Sequence, residues 1–400
     1  MVGNWRKHSD VHRLQIFVHD LGASGVVRNA IAVANEAAAC GYQVRLLTCN
    51  ADGILRRQLR SNVAVVKLND AGDARLSRRK QMQKALLAYR RHSRDWEGDI
   101  MMSAGNHGHL LSTIAWLGLP GSKVLRFSNA LSHDSPLPLV RLWRAAKFRF
   151  MARLADRLVY VSRAQDRHPL LSSLLAAGKA KVIPNGVDFR VVRSGAQMGC
   201  DHPWAGDSSI PIILAVGRHV KQKNFAALLT AFARARTARP MRLMFLGDGK
   251  PEELGRLMKL AAELGVKPDV AFVPAVANPF PYMAAASTFV LPSLWEGSAN
   301  VLLEAMACGT PVIASRTAGD AEQVLASGQY GMLVDPWNID EFATALLQQT
   351  GPHAIMPGKR PSCFARDKAL RAYVQMFDSL VAERGERCGI TMGDSAVVGA

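Results

Sequence analysis

The 400-residue chain is poor in cysteine, and none of its six (Cys40, Cys49, Cys200, Cys308, Cys363, Cys388) stands in a Cys-x-x-Cys pair or at ligand spacing from a histidine. A structural zinc site needs such spacing, so the pattern argues against one and for a reducing compartment. Long apolar runs are missing too: no stretch approaches the roughly 18 uninterrupted apolar residues of a membrane-spanning helix. The opening MVGNWRKHSDVHRLQIFVHD carries charges without the apolar segment of a secretory signal. The expectation is a cytoplasmic location, with peripheral attachment to the inner face of the cell membrane as an open addition. A dinucleotide dehydrogenase would need Gly-x-Gly-x-x-Gly after a strand. Residues 19–28 offer only Gly22 and Gly25, and Gly247-Asp248-Gly249 lacks the later glycine. No Asp-x-Asp cluster stands in a loop suited to a divalent metal, so neither a metal nor a cofactor is expected.

Acidic residues are scarce in one half only. Residues 1–200 hold 31 Lys and Arg against 13 Asp and Glu, whereas residues 201–400 hold 19 against 19. The whole net charge of +18 therefore lies in the first half, and the two halves are expected to face different partners. Nucleic acid would account for the charge, but no nucleic-acid-binding motif accompanies it.

What is present is a double alternation of strand-like and helix-like segments. Short apolar runs at Leu14–Val18, Val44–Thr48, Val63–Leu68, Ile100–Ser103, Lys123–Phe127, Arg157–Val161 and Val182–Ile183 are interleaved with helical stretches such as Asn29–Cys40 and Arg78–His92. After a polar, glycine-rich stretch at 190–209 the pattern restarts with strands Ile212–Val216, Arg242–Leu246, Val270–Val273, Thr288–Leu291, Val312–Ala314 and Gly331–Val334. Helical stretches at Phe225–Ala235, Glu252–Leu264, Ala299–Ala307 and Ile339–Gln349 separate them. Such alternation predicts an α/β fold of two doubly wound, Rossmann-like parallel-sheet domains facing across a cleft. The expected limits are 1–195 and 210–350, with a helix at 365–383 packing back on the first domain and a flexible tail at 384–400.

The most informative segment is FVLPSLWEGSANVLLEAMACGTPVI (289–313). It reads as strand, loop, helix, turn and strand: Pro292 ends the first strand, Gly297 and Ser298 open the helix, and Gly309 and Pro311 stop it. Glu304 sits in this helix among Leu302, Leu303, Ala305 and Met306, a setting in which a carboxylate is rarely left unpaired. Eight helical residues rotate about 80° off register, so Glu296 and Glu304 share a ligand only if Glu296 lies on the preceding loop. A ligand over this helix start would be anionic and rich in hydroxyls, because helix amides attract phosphate and carboxylates accept from hydroxyls. A nucleotide-sugar fits. Strand 212–216 leads into Gly217-Arg218-His219-Val220-Lys221-Gln222-Lys223, which places Arg218 and Lys223 beyond a strand's carboxyl end, where such sheets bind ligands.

AVGRHVKQKNF (215–225), FLGDG (245–249), LPSLWEGSANVLLEAMACGTPVIAS (291–315), GDAEQVL (319–325), YGMLVDP (330–336) and VIPNGVD (182–188) together resemble the retaining, two-domain nucleotide-sugar glycosyltransferases of the GT-B, family 4 type. The resemblance implies a GT-B fold and transfer of a hexosyl group from a UDP- or GDP-linked sugar with retention of configuration. Glu296, Arg218 and Lys223 would be the catalytic residues, the two cations holding the donor diphosphate in place of a metal. Glu304 would bind the ribose hydroxyls and Glu296 the sugar hydroxyls. The backbone at Gly217, Gly297, Ser298, Ala299 and Asn300 would lie near the phosphates, and the base would rest against the turn after Val273. Glu322 matches a recurring acidic position, with a surface carboxylate as the alternative.

In the first half HDLGASGVVR (19–28) resembles the family's glycine pair followed by Arg, with Ser24 at the first glycine and Gly25 retained. The family's histidine after a central strand has no counterpart after Lys123–Phe127. Asn106, His107, Arg126 and Asn129 are the acceptor-side candidates, with His109 of the same loop as Asn106. RLWRAAKFRFMAR (141–153) sets five cations among Leu142, Trp143, Phe148, Phe150 and Met151, which suits a helix lying in an anionic membrane interface. The expected acceptor is thus a glycan or lipid-linked polysaccharide intermediate at the membrane. A catalytically inactive, membrane-associated scaffold of the same fold is the competing reading.

Overall fold

The structure is a computed structural model and describes residues 11–22, 24–128, 137–162 and 169–387. Asn129 and the tail beyond residue 387 lie outside the described residues. The chain forms two compact units that divide at Ile183 and Pro184, and the chain from Leu370 onward belongs to the first unit.

The first unit is built from β1 (Arg13–Val18), α1 (Gly25–Ala39), β2 (Gln43–Thr48), β3 (Val63–Lys67), α2 (Arg78–Trp96), β4 (Ile100–Ser103), α3 (His109–Ala115), β5 (Ser122–Phe127), α4 (Pro138–Leu154), β6 (Arg157–Tyr160), α5 (Pro169–Ala176) and β7 (Ala180–Val182). Its seven strands pair in parallel in the order β3-β2-β1-β4-β5-β6-β7. Strand burial is nearly continuous, as expected of a sheet covered on both faces: β4 is buried at every position.

The second unit begins with α6 (Phe189–Ala196), which occupies part of the stretch that shows no helical periodicity in sequence. Asp188 starts this helix, its carboxylate accepting from the amides of Arg190 and Val191. There follow β8 (Ile212–Val216), α7 (Phe225–Arg236), β9 (Arg242–Leu246), α8 (Pro251–Glu263), β10 (Val270–Val273), α9 (Phe280–Ala285), β11 (Thr288–Leu291), α10 (Asn300–Ala307), β12 (Val312–Ser315), α11 (Ala321–Val324), β13 (Met332–Val334) and α12 (Ile339–Gln349). Their parallel order is β10-β9-β8-β11-β12-β13. Strand alternation divides the core in two: Leu214, Leu246, Phe289, Leu291 and Val312 pack with α10 on one face. Ile213, Ala215, Phe245, Val290 and Ile313 pack with α7 and α12 on the other.

In both sheets the strand order reverses beside the first strand, between β1 and β4 and between β8 and β11. Helices leave to opposite sides at such a point and open a crevice outside the carboxyl ends of the two strands. In the second unit this crevice is bounded by the loop after β8 and the loop after β11, which carry Arg218, Lys223 and Glu296. The final helix, α13 (Arg366–Arg387), runs past Glu383, its expected end.

Candidate functional site

Two glycines shape the loop after β8. Gly217 adopts φ +152°, and a Cβ there would stand 2.8 Å from Cε of Lys223, so the bare backbone is what lets Lys223 fold over it. Gly247, at φ +145°, lies so close to the Gly217 carbonyl that a Cβ would overlap it. The Gly217 amide donates to the carbonyl of Leu246, and the Gly247 amide to that of Val273, each at 2.9 Å. The ends of β8, β9 and β10 are thereby locked together, with half-buried Val273 at their far side.

Lys223 and Glu296 meet across this crevice. The Lys223 ammonium lies 2.7 Å from Oε1 of Glu296, which also accepts from Ser293 Oγ at 2.7 Å. Gln222 braces the same loop by donating to the carbonyl of Trp295 at 2.8 Å, while the Leu294 amide donates to the Gln222 carbonyl at 2.9 Å. Arg218 is exposed and forms no ion pair with a described residue. The condition that Glu296 must precede the helix is met, since α10 begins at Asn300. Glu304 is half-buried on α10, with Leu302, Leu303, Ala305 and Met306 buried around it. The structure therefore gathers Gly217, Arg218, Lys223, Glu296 and the 297–300 loop at the switch point, with Glu304 one helical turn further along.

Asp320 is a residue that sequence reasoning passed over. It is 4% exposed, its Oδ1 accepts the Ala299 amide at 2.6 Å, and its Oδ2 accepts Ser298 Oγ at 3.2 Å. Burial pushes its carboxyl up to about 6, opposed by those hydrogen bonds and reinforced by the charge of Glu296. GDAEQVL directed attention to Glu322, which is exposed on the short α11. Nothing local in the sequence marks Asp320 as the buried member.

The first unit presents its own loops at the β1–β4 reversal. Ser24 occupies the N-cap of α1 and accepts the Val27 amide at 3.3 Å, so serine there performs a capping task, with Gly25 as the first helical residue. Asp20 accepts from His19 Nδ1 at 2.8 Å, the Gly22 amide at 3.0 Å and Arg78 at 3.1 Å. The hydrogen bond from His19, first among these, brings its carboxyl down to about 2 despite partial burial. Asn106 accepts both the amide and the hydroxyl of Ser128, at 2.8 and 3.1 Å, and so ties the β4 loop to the end of β5. His107 is exposed beside it. His109 is a core residue: it is 1% exposed, shares a hydrogen bond with Ser103 and is driven down to about 3 by burial.

Arg126 departs from its expected place on the acceptor side. It is 0% exposed, donating to the Tyr373 hydroxyl at 2.9 Å and to the Ala104 carbonyl at 3.2 Å. Its guanidinium is consumed in holding β5, the β4 loop and α13 together.

These features have counterparts in known proteins. Residues 23–191 match the family model described as Glycosyltransferase Family 4, and residues 210–350 match that described as Glycosyl transferases group 1. Between them the two span most of the chain, which belongs to the family 4 type of GT-B glycosyltransferases. Among curated proteins it is 33% identical over 180 residues to the lipopolysaccharide core biosynthesis glycosyltransferase LpsE of Rhizobium meliloti, covering 42% of this chain and 50% of that one. It is 23% identical over 329 residues to the N-acetylgalactosamine-N,N'-diacetylbacillosaminyl-diphospho-undecaprenol 4-alpha-N-acetylgalactosaminyltransferase of Campylobacter jejuni, covering 81% and 86%. The chain thus spans about half the length of LpsE and most of the Campylobacter enzyme. Among solved structures, a glycosyltransferase of Rickettsia africae superimposes with a TM-score of 0.73 at 16% identity, over 93% of this chain and 99% of that one. HepE of Anabaena, solved in complex with UDP, gives 0.66 at 19% identity over 94% and 100%. At these identities the structural likeness speaks for the fold alone.

Proposed function

We propose that the protein transfers a hexosyl group, with retention of configuration, from a UDP- or GDP-linked sugar to a glycan or lipid-linked acceptor at the cytoplasmic membrane face. The observation that carries this reading is the Lys223–Glu296 pair, folded over bare Gly217 and beside the start of α10. When a diphosphate departs, negative charge grows on its outer phosphate while the sugar becomes oxocarbenium-like. Lys223, exposed Arg218 and the amides opening α10 supply positive potential on the phosphate side, already oriented before reaction. Glu296, held by Ser293 and Lys223, presents a fixed carboxylate to sugar hydroxyls, and Glu304 does the same for the ribose. HepE's complex with UDP, and the lipid-diphosphate acceptor in the name of the Campylobacter relative, support the two substrate classes.

The membrane part rests on α4. Leu139, Leu142 and Trp143 are 81%, 64% and 59% exposed, and Phe150 is exposed as well. Their spacing of three, four and seven residues puts them on one helix face. Arg141, Arg144, Arg149 and Arg153 are exposed on the same helix, and the Lys147 ammonium lies 4.7 Å over the Trp143 ring. Among the described residues no helix is long and apolar enough to cross a membrane. An apolar stripe edged by cations suits an anionic bilayer surface, where each cation contributes about 1 kcal/mol.

A thermal-shift screen of nucleotide-sugars, followed by transfer assays, tests the enzymatic reading. A UDP- or GDP-sugar should stabilise the protein, and Lys223→Ala should lower kcat by roughly 100- to 1000-fold. Stabilisation by no nucleotide-sugar would count against it, as would undiminished transfer by Lys223→Ala and Glu304→Ala. Binding to phosphatidylglycerol vesicles should weaken as salt rises and as Trp143 and Leu142 are replaced by serine. Salt-insensitive binding would remove the electrostatic basis.

A further inference from the structure

The loop after β12 touches the donor-side loop at four successive points. Thr317 Oγ1 donates to the Ser293 carbonyl at 3.3 Å. Gly319, at φ +60°, leaves room for Glu296, whose Cβ would be 3.1 Å from a side chain there. Asp320 then takes the Ser298 hydroxyl and the Ala299 amide. Ser298 is held from its other side by a contact with Asn300 Oδ1 at 3.2 Å, at the first residue of α10. Ala299, the N-cap, has no side-chain acceptor of its own, so α10 lacks the internal cap that most helices carry. A carboxylate 21 residues downstream instead accepts the amide of the N-cap residue itself, the role that the acidic member of a capping box fills.

We propose that Asp320 is a positioning residue, whose carboxylate caps α10 from outside and fixes the 297–300 backbone in the shape that receives the donor's outer phosphate. The proposal rests on the donor-site reading above and adds a residue to it. Asp320 acts through the loop: with Oδ1 on Ala299 and Oδ2 on Ser298, it takes up the first amide at the helix start and holds the backbone that carries the amides of Asn300 and Val301. Of the four amides that open α10, that of Ala299 goes to Asp320 and that of Leu302 to the Ala299 carbonyl at 3.0 Å, which leaves those of Asn300 and Val301 for a phosphate. Without the carboxylate the Ala299 amide is orphaned in a buried place, and the loop must turn to find it a partner.

The test compares diphosphate with monophosphate, because only the outer phosphate reaches this loop. UDP, UMP, GDP and GMP are titrated calorimetrically into wild type, Asp320→Ala and Asp320→Asn, with thermal melts confirming that each variant is folded. Wild type should bind one diphosphate more tightly than its monophosphate. Asp320→Ala should lose about tenfold of that advantage, the size of one charge-assisted hydrogen bond, while monophosphate affinity stays within about twofold. Asp320→Asn keeps an acceptor for the Ala299 amide and should recover most of the loss. If wild type binds no nucleotide, the donor-site reading falls and the proposal with it. If wild type binds but Asp320→Ala keeps the diphosphate advantage, or loses both affinities equally, the positioning role alone is overturned.

Discussion

Lys223 and Glu296 form an ion pair whose side chains keep only 16% and 14% of their surface exposed. At that depth, removing one partner costs more than the pair contributes, because the other charge stays behind with its hydration lost. Lys223→Ala should therefore lower unfolding free energy by about 2–3 kcal/mol, and adding Glu296→Gln should return roughly half of it in urea titrations. Asp320 gives the opposite kind of signature. Its folded-state carboxyl titrates at about 6 against an ordinary 3.8, so the folded chain holds this proton more tightly than the unfolded one. Stability should then fall as pH rises from about 4 to about 6, by an amount on the order of 3 kcal/mol. Asp320→Asn should flatten that part of the profile, and an unchanged slope would mean that the proton resides elsewhere. The two residues also differ in legibility. Lys223 and Glu296 announce themselves through strand ends, glycines and a helix start. Asp320 meets a loop 21 and 22 residues away, at Ala299 and Ser298, which no local pattern records.

At the level of elements, the loops after β8 and β9 are packed backbone to backbone, so their glycines are sensitive in a way that the exposed Gly255 of α8 is not. Gly247→Ala places a Cβ onto the Gly217 carbonyl at φ +145° and should destabilise by more than about 2 kcal/mol while weakening nucleotide binding. Gly255 is exposed inside α8 with no atom near its would-be Cβ, so Gly255→Ala should stabilise by about 0.5–1 kcal/mol. Paired thermal melts check both signs at once. Strands β8, β10 and β11 and helix α12 have the limits that periodicity predicts, since the strands are apolar runs ended by Gly217, Pro274 and Pro292 and the amphipathic helix starts at its Asn338 cap. Helices α3, α5, α6, α9 and α11 have four to eight residues, too few turns for a periodic signal to rise above the surrounding loops. The second-unit loops that carry Lys223 and Glu296 are legible because they follow strands with clear ends. The first-unit loops are less so: Arg126 looks in sequence like a cation at a strand's carboxyl end, and only the packing of α13 shows it to be internal.

For the molecule as a whole, the order of the chain and the order of its units do not coincide. Helix α13 leaves the second unit at Ala369 and joins the first at Leu370. There the hydroxyl of Tyr42 donates to Asp378 at 2.6 Å, Arg157 pairs with Glu383 at 2.7 Å, and Tyr373 receives the buried Arg126. Tyr373, Met376, Phe377 and Leu380 are each buried to 2% exposure or less. At about 1.5–3 kcal/mol per side chain this burial amounts to about 6–12 kcal/mol, as large as the net stability of an ordinary domain. A fragment of residues 1–195, the limits that sequence alone suggests for the first domain, should therefore not unfold cooperatively, because Arg126 would lose the Tyr373 hydroxyl and the unit the buried side chains of α13. Tyr373→Phe in the full chain isolates the polar part of that loss and should cost about 1–3 kcal/mol by leaving one guanidinium N–H unpaired. A sharp, two-state melt of the 1–195 fragment by circular dichroism would show that the first unit stands without its C-terminal helix, and that α13 serves only to join the chain's end to a finished fold.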